Sequence, residues 1–169
     1  MAVTNIIMAW SECSVKIGKT GANDAMAQAL TDIGTIKDKS GVLEPSDGDV
    51  LEAKSTGGHT VAKETQEGGF TLTVRVIEPT SSLLTLLGIA SAEADGVQNI
   101  NTHLVNDHWS VELTPKNVGA KGIRAPKTEI SYKPGWSEEE GNYADISFEI
   151  LLGSAGYWYS RFTKAAAGG

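Results

Sequence analysis

The sequence predicts a mainly β protein, an antiparallel β-sandwich or barrel with one short flanking α-helix and a long extended arm loop. Apolar and polar residues alternate with a period of two in several segments, which is typical of strands with one buried face. Turn signals that contain Gly or Pro separate these segments at short intervals, as in all-β domains. The chain of 169 residues is 40% hydrophobic, so we expect residues 1–169 to form a single domain around one core.

The strand predictions differ in strength along the chain. The clearest alternation predicts strands at 70–77, 109–114, 130–132, 144–151 and 157–162. Weaker alternation predicts strands at 13–17, 32–36, 50–53 and 98–105. Turn signals lie at 18–21, 45–48, 57–58, 67–69, 119–122 and 134–135.

One helix is predicted directly after Pro79. The hydroxyl residues at 80–82 supply an N-cap, residues 83–87 supply an apolar face, and Gly88 supplies a C-terminal stop. We expect its leucines to pack over the open end or the face of the β-structure. Residues 23–30 predict either a helical turn or a loop.

Residues 38–69 predict a long exposed arm. This stretch has few large apolar residues, and a structureless loop of this length is uncommon inside a compact domain. We therefore expect an exposed arm, often a β-hairpin, or a partner-binding segment. Its candidate contact residues are Asp38, Glu44, Asp47, Glu52, Lys54, Lys63 and Glu64. A second long loop is predicted at 115–126, and a small flexible tail at 164–169.

Composition argues against several classes of function. The formal charge of -7 disfavours nucleic-acid binding through the phosphates, because that binding needs clustered Lys and Arg. No apolar run approaches the roughly 20 residues of a membrane helix, and no basic signal-peptide region is visible, so we expect no membrane insertion. Cys13 is the single cysteine, which excludes an internal disulfide and fits a reducing cytosol.

Few residues carry the pattern of a catalytic or metal site. His103, Asp107 and His108 are close in sequence, but their spacing is typical of polar residues around a turn. Cys13 lies in an apolar–polar alternation, which favours a buried small side chain over a nucleophile. The glutamates at 138–140 are expected to form a solvated loop or an acidic lining, since catalytic carboxylates are separated across a cleft. The sequence therefore predicts neither an enzyme nor a cofactor or metal site.

The order of the elements resembles that of a known family. Gly-Thr-Ile-Lys-Asp-Lys-Ser at 34–40 leads into the acidic, Gly-rich arm. The arm returns through Thr-Gln-Glu-Gly-Gly at 65–69 into the strand Phe-Thr-Leu-Thr-Val at 70–74. A leucine helix and a series of antiparallel strands follow. Over roughly residues 33–162, the chain resembles the major tail tube proteins of tailed bacteriophages, and more broadly the tube subunits of contractile injection machines.

This resemblance implies a fold and an assembly. In the family, a β-sandwich or barrel carries one flanking helix, copies join edge to edge into rings, and the rings stack into a tube with a β-lined channel. It implies that residues 38–69 form the stacking arm, which reaches a neighbouring ring. It also implies an inner sheet or ring interface around two strands, with the candidate residues Phe70, Leu72, Val74, Asp145, Ser147 and Glu149.

The resemblance also implies partners and a location. The partners are further copies of the chain, together with tail-tip, tape-measure and terminator proteins. DNA is expected to pass through the lumen without specific binding, because an acidic lumen repels phosphates. The expected location is the virion tail, assembled in the host cytoplasm. Deleting residues 38–69 is expected to leave a folded subunit that no longer forms long tubes.

Other interpretations of the sequence stay open. A tube or carrier ring of a bacterial secretion or contractile injection system shares the architecture but not the DNA cargo. A carbohydrate-binding or adhesin-like β-sandwich would use Trp10, Trp136 and Trp158 to stack on sugars. The aromatic run at 157–159 is either core filling or an interface anchor. An enzyme on a β-scaffold is disfavoured, since the usual site components are missing.

Overall fold

The structure of the chain, a computed structural model, describes residues 7–9, 12–101 and 107–167. The described strands are β1 (Cys13–Lys19), β2 (Thr31–Asp32), β3 (Thr35–Ile36), β4 (Val42–Pro45), β5 (Val50–Lys54), β6 (Thr60–Thr65), β7 (Phe70–Ile77), β8 (Trp109–Pro115), β9 (Lys121–Ser137), β10 (Gly141–Ile150) and β11 (Ser160–Thr163). The helix α1 spans Ser81–Leu86, and a 3-10 turn spans Ala22–Asp24.

One antiparallel sheet contains every described strand except β5 and β6. Its order is β2-β1-β8-β9-β10-β7-β3, with β11 paired to β9 and β4 paired to β7. Residues 31–36 connect the two ends of this order, because β2 pairs with β1 and β3 pairs with β7. No closure into a barrel is detected over the described ranges. The predicted fold class, mainly β and antiparallel with one short helix, is confirmed.

One face of the sheet encloses the hydrophobic core. Leu72, Val74 and Val76 of β7 are buried, while the residues between them are partly exposed, as the two-residue period of a strand requires. The adjacent strands add further buried side chains, among them Val15, Ile17, Trp109, Val111, Ile130, Ala144, Ile146 and Phe148. Burying one large apolar side chain contributes about 1.5–3 kcal/mol, so this face supplies most of the fold's stabilisation.

Helix α1 covers part of this core. The Thr80 hydroxyl accepts a hydrogen bond from the Leu83 backbone N–H at 3.2 Å, which satisfies one of the donors that a helix N-terminus leaves free. Leu83 and Leu87 are fully buried, and Gly88 follows in the left-handed conformation with φ of 73°. The predicted helix, its hydroxyl cap and its glycine stop are confirmed.

Two predicted breaks in the β-structure are wrong. A loop is expected at 115–126, but the structure has one only at residues 116–120, because β8 continues to Pro115 and β9 begins at Lys121. The turn predicted at 134–135 lies inside β9, which runs unbroken to Ser137. Both errors come from treating Gly and Pro as turn signals inside a long strand.

The glycines of β9 make room for aromatic rings. A Cβ on Gly122 would lie 2.5 Å from the ring of Phe162, and a Cβ on Gly135 would lie 2.5 Å from the ring of Tyr143. In both places the ring on the neighbouring strand occupies the space above the glycine. Such cross-strand pairing of an aromatic residue with glycine compensates for the poor strand propensity of glycine.

Pro134 is tolerated in β9 because of the direction in which its nitrogen points. The Glu78 N–H donates to the Asn142 carbonyl at 2.8 Å, so the backbone of Asn142 is directed toward β7. By alternation the backbone of Ala144 has the same direction, and Pro134 lies opposite Ala144. The ring nitrogen of Pro134 is therefore directed away from β10 and costs no hydrogen bond in that pair.

Other boundaries differ from the sequence predictions. The strand predicted at 32–36 is split into β2 and β3, and the last strand begins at Ser160 rather than at 157. Of the strand predicted at 98–105, residues 98–101 hold only an isolated bridge at Ile100, and the remaining residues lie outside the described ranges. In the predicted tail, the Lys164 N–H donates to the Ala120 carbonyl at 2.9 Å, which anchors its first residue.

Candidate functional site

Strands β5 and β6 form a hairpin that pairs with no other described strand. Their two-stranded sheet is separate from the main sheet, and every residue of both strands is exposed. Val50, Leu51 and Val61 are exposed by 50%, 53% and 66%. A lone two-stranded hairpin is marginally stable in water, so the pairing of β5 with β6 contributes little stability by itself.

The hairpin is inserted between two paired strands of the main sheet. Pro45 of β4 lies opposite Phe70 of β7. One residue further out, the Ser46 N–H donates to the Gly69 carbonyl at 2.8 Å, and the Gly69 N–H donates to the Ser46 hydroxyl at 2.9 Å. The chain thus leaves the sheet after Ser46 and returns at Gly69. We call residues 47–68 the arm.

The base of the arm requires two glycines. A Cβ on Gly48 would lie 1.6 Å from the Gln66 carbonyl oxygen, and a Cβ on Gly68 would lie 1.6 Å from the Ser46 carbonyl oxygen. The two chain segments therefore pass each other at backbone contact distance, which only glycine permits. This close crossing fixes the point at which the arm leaves the sheet.

The arm is shorter than the sequence predicts. Asp47, Glu52, Lys54, Lys63 and Glu64 of the predicted contact residues lie within it. The prediction that Asp38 and Glu44 belong to the arm is wrong, because Asp38 precedes β4 and Glu44 lies within β4, which pairs with β7 in the main sheet. The partly buried Leu43 packs against the core and holds this strand there.

One face of the arm carries its ion pairs together with the exposed Val50, which alternation places on the same side as Glu52 and Lys54. Glu52 lies 3.6 Å from Lys54 and 3.9 Å from Lys63. The Lys54 and Lys63 side chains are largely exposed and that of Glu52 is 35% exposed, and surface ion pairs of this kind contribute about 0–1 kcal/mol each. These pairs therefore set the register of the hairpin more than its stability.

The opposite face of the arm is apolar with one acidic end. Leu51 lies opposite Glu64, and Ala53 lies opposite Ala62, so the four side chains share one face of the hairpin. The ion pairs of the described residues do not include Glu64. A flat apolar patch bordered by an unpaired carboxylate is suited to a protein surface that offers an apolar floor and a cation.

The outer face of the main sheet carries an ionic cluster. The Arg75 guanidinium donates two hydrogen bonds to Asp145, at 2.7 and 2.8 Å, and a third to Glu140 at 3.0 Å. Lys37 also pairs with Glu140, and the guanidinium lies 4.5 Å from the centre of the Tyr143 ring. The hydrogen bonds from Arg75 lower the pKa of Asp145, and the same pair raises the pKa of Arg75.

A row of carboxylates crosses the same face. Glu129 of β9 lies directly opposite Glu149 of β10, and Glu149 lies opposite Thr71 of β7. Thr71 in turn lies opposite Glu44 of β4. Like charges that face each other across a strand pair are destabilising, so the pairing of Glu129 with Glu149 lowers the stability of the fold. It leaves an acidic strip across four strands.

The predicted inner-sheet residues lie on both faces of the sheet. Asp145, Ser147 and Glu149 share the outer face, whereas Leu72 and Val74 are buried in the core. Phe70 packs edge-to-face on two rings of the C-terminal segment, Trp158 at 6.0 Å and Tyr159 at 5.2 Å between ring centres. Alternation in the sequence predicts that Arg75 lies on the polar face of its strand, but its grouping with Glu129 and Lys133 needs the pairing register.

Of the residues considered for a metal or catalytic site, the structure describes Cys13, Asp107 and His108. Asp107 is 2.6 Å from Lys19, whose hydrogen bond lowers the pKa of Asp107, and His103 lies outside the described ranges. Among the described residues, no group of three or more His, Cys, Asp or Glu is placed to hold a metal ion. Burial raises the pKa of the Cys13 thiol, which disfavours the reactive thiolate.

The tryptophans proposed as sugar platforms are in different surroundings. Trp136 is 67% exposed, Trp158 is partly buried beside Phe70, and Trp10 lies outside the described ranges. The Trp158 contact assigns the C-terminal aromatic run at least in part to packing within the subunit. Over the part of the chain that the structure describes, α1 and the 3-10 turn are both too short to cross a membrane.

An open groove lies beside the start of β1. Its volume is about 740 Å³, and residues of the β1 start, of 34–41 and of β8 line it. Cys13, Ile36 and Leu113 supply its partly buried apolar lining, and the latter two pack against the core. Lys39 lies on its exposed side, and the ion pairs of the described residues do not include it. We call this the β1 groove.

No protein-family model matches the sequence, and no curated protein matches it by sequence comparison.

Proposed function

We propose that this chain is a structural subunit of a phage-type tail tube, which self-assembles into stacked rings that form a channel for DNA passage into the host. The observation that carries the proposal is the arm. A hairpin with every strand residue exposed, inserted between two paired strands of a well-packed sheet, stabilises nothing in its own subunit. Such a segment is suited to contact with another molecule.

A second copy of the chain is the partner that best explains the arm. A contact in which one copy's arm reaches a different surface of the next copy is heterologous, and heterologous contacts generate rings or open stacks. The arm leaves the sheet at a point fixed by Gly48 and Gly68, so its direction is the same in every copy. In this proposal, the further partners are tail-tip, tape-measure and terminator proteins, and the location is the virion tail, after assembly in the host cytoplasm.

The outer sheet face supports the second half of the proposal, the channel wall. Three basic residues, Arg75, Lys133 and Lys37, lie on or beside this face with five acidic ones, Asp145, Glu149, Glu129, Glu44 and Glu140. An acidic wall repels the phosphates of passing DNA and prevents it from binding. A chain of this length has a radius of gyration of only ~15 Å, so several copies are needed to enclose a channel.

Sedimentation velocity over a range of concentrations tests the proposal. We expect a shift from a subunit of 17.8 kDa to large particles of stepwise increasing size, because ring closure and stacking both depend on concentration. A chain that stays a monomer at every concentration would contradict it. Loading of the assembled particles with duplex DNA or with small proteins then separates a phage tube from a secretion-system tube, which shares the architecture but carries protein.

A second candidate function depends on Trp136. Its exposed ring, at 67%, is available to stack on a sugar, as in carbohydrate-binding sandwiches. Binding to a glycan array by a stable monomer, abolished in Trp136→Ala, would favour this function. The exposed arm has no role in such a protein, so the tube remains the better-supported proposal.

A further inference from the structure

We propose that a pocket between helix α1 and one end of the main sheet binds an organic ammonium ion, that is, a primary amine with an apolar body. We call it the α1 pocket. Its volume is about 300 Å³, the size of a small-molecule site, and residues from 78–79, 84–100, β9 and β10 line it. This inference goes beyond the proposed function, because it concerns a single subunit and does not depend on assembly.

Much of the lining of the α1 pocket is apolar. Leu84 and Ile89 contribute from the helix side, and Tyr132 and Pro134 contribute from β9. Ile89 is buried and Tyr132 is partly buried against the core, so packing holds these side chains in place. Ile100 also lines the pocket and is 60% exposed. A ligand with an apolar body covers this surface and removes it from water, which favours binding.

Glu78 is the one charged side chain among the described residues of the lining. It takes part in none of the ion pairs of the described residues. Its backbone has a φ of 49°, which is uncommon for a residue with a side chain. The backbone N–H and the side-chain amide of Asn142 donate to its two carboxylate oxygens, at 3.3 and 3.4 Å. The backbone and Asn142 therefore hold a negative charge at the pocket.

The two amide side chains of the lining present hydrogen-bond acceptors. The Gln98 amide nitrogen donates to the carbonyls of Ser91 at 2.9 Å and of Ser81 at 3.3 Å, so its oxygen is the atom left for a ligand. The Asn142 amide nitrogen is directed to Glu78 in the same way. A primary ammonium has three donors and one positive charge, which match a carboxylate and two amide oxygens.

The charges near the α1 pocket do not reverse this preference. The Arg75 guanidinium lies 4.5 Å from the centre of the Tyr143 ring, but it already donates to Asp145 and Glu140. Lys133 of β9 lies opposite Asp145, and alternation places it on the outer face. The tyrosine hydroxyls of the lining both donate and accept, so they select neither sign of charge. An anion at this pocket would meet the Glu78 carboxylate with no cation from the described lining.

Ligand-observed saturation-transfer NMR of dispersed subunits with 2-phenylethylamine tests the site. We expect a Kd of about 1 mM, because a small ligand at a partly exposed site gains little free energy. The probe 2-phenylethanol has the same apolar body without the charge, and it should bind at least about fivefold more weakly. Equal affinities of the two probes would overturn the ammonium assignment. Absence of amine binding up to about 10 mM would overturn the pocket itself.

Two variants with matched controls locate the binding. Glu78→Gln should raise the Kd of the amine about fivefold to tenfold. Glu139→Gln removes the same charge from an exposed position outside the lining and should stay within about twofold of the native Kd.

The second variant places a competing ammonium in the pocket. Ile100→Lys should raise the Kd of the amine at least about fivefold, because the new side chain occupies the site of the ligand. Val97→Lys is the control, since Val97 is also 60% exposed but does not line the pocket. All four positions are exposed, so a native Tm is expected for each variant. If either variant binds the amine as its control does, the assignment of the α1 pocket is wrong.

Discussion

Replacing the arm, residues 47–68, with Asn-Gly should separate folding of the subunit from its assembly. Ser46 and Gly69 are already hydrogen-bonded across the gap at 2.8 Å, so the replacement turns β4 and β7 into a hairpin with a two-residue turn. Asn-Gly is the preferred sequence for that turn. The broader deletion of 38–69 would also remove β4 and its pairing with β7, which makes it a poorer test.

The structure sets the size of the expected effect on stability. No strand residue of the arm is buried, so its removal exposes no core. The replacement halves the length of the loop between β4 and β7 about three times. Each doubling of loop length costs about 0.6 kcal/mol of closure entropy, so the free energy of unfolding of the variant rises by at most about 2 kcal/mol. For a domain of this size that corresponds to a Tm about 4–8 °C higher.

Thermal unfolding and electron microscopy of the same preparation measure the two effects. We expect an unchanged or higher Tm together with loss of long tubes. Leu51→Ser is the matched control, since it keeps the arm and changes only its apolar face; we expect shorter tubes at a native Tm. A Tm lowered by more than about 5 °C would show that the arm packs on its own subunit. Normal tubes without the arm would refute its role in stacking.

Three further predictions concern the sheet. Phe148→Ala should lower the free energy of unfolding by about 3–5 kcal/mol in urea, because the ring is fully buried; a loss below about 1 kcal/mol would contradict the assigned core. The lowered pKa of Asp145 means that its stabilisation is present above the unfolded pKa of about 3.9 and is lost as pH falls through the lower folded value. Tm should therefore fall with acidification, and it should fall less steeply in Asp145→Asn. Equal slopes of Tm against pH in the two proteins would exclude Asp145 as a source of the pH-dependent stability. Glu129→Lys should raise the free energy of unfolding by about 0.2–1 kcal/mol, since it faces Glu149; destabilisation would contradict the register.

Local patterns in the sequence predict the elements that are determined by neighbouring residues, such as a strand with one buried face or a capped helix. The alternation at 70–77 coincides with β7, and the capped leucine segment coincides with α1 to within a residue. The exposed arm is also recognisable, because a long polar stretch with regular turn signals seldom packs inside a domain. The sequence leaves open whether this stretch is a β-hairpin or another partner-binding segment, and the pairing of β5 with β6 identifies the hairpin.

Long-range pairing explains what the sequence does not predict. In the sequence, Gly122 and Gly135 have the pattern of turn residues. Their place inside a strand is explained only by the rings of Phe162 and Tyr143, which lie above them. Residues 31–36 change partner from β1 to β7 within a few residues, a switch that no local period encodes. The acidic row of Glu44, Glu129 and Glu149 joins residues that are far apart in sequence, so it emerges only from the register of four strands.

Negative-stain electron microscopy of the purified chain over a range of concentrations, alongside a sizing column, tests whether the chain assembles into a tube. We expect rings at moderate concentration and long hollow tubes at high concentration, because each exposed arm finds a partner only in another copy. Elution as a monomer, with no rings or tubes at any concentration, would show that the chain is not a tube subunit.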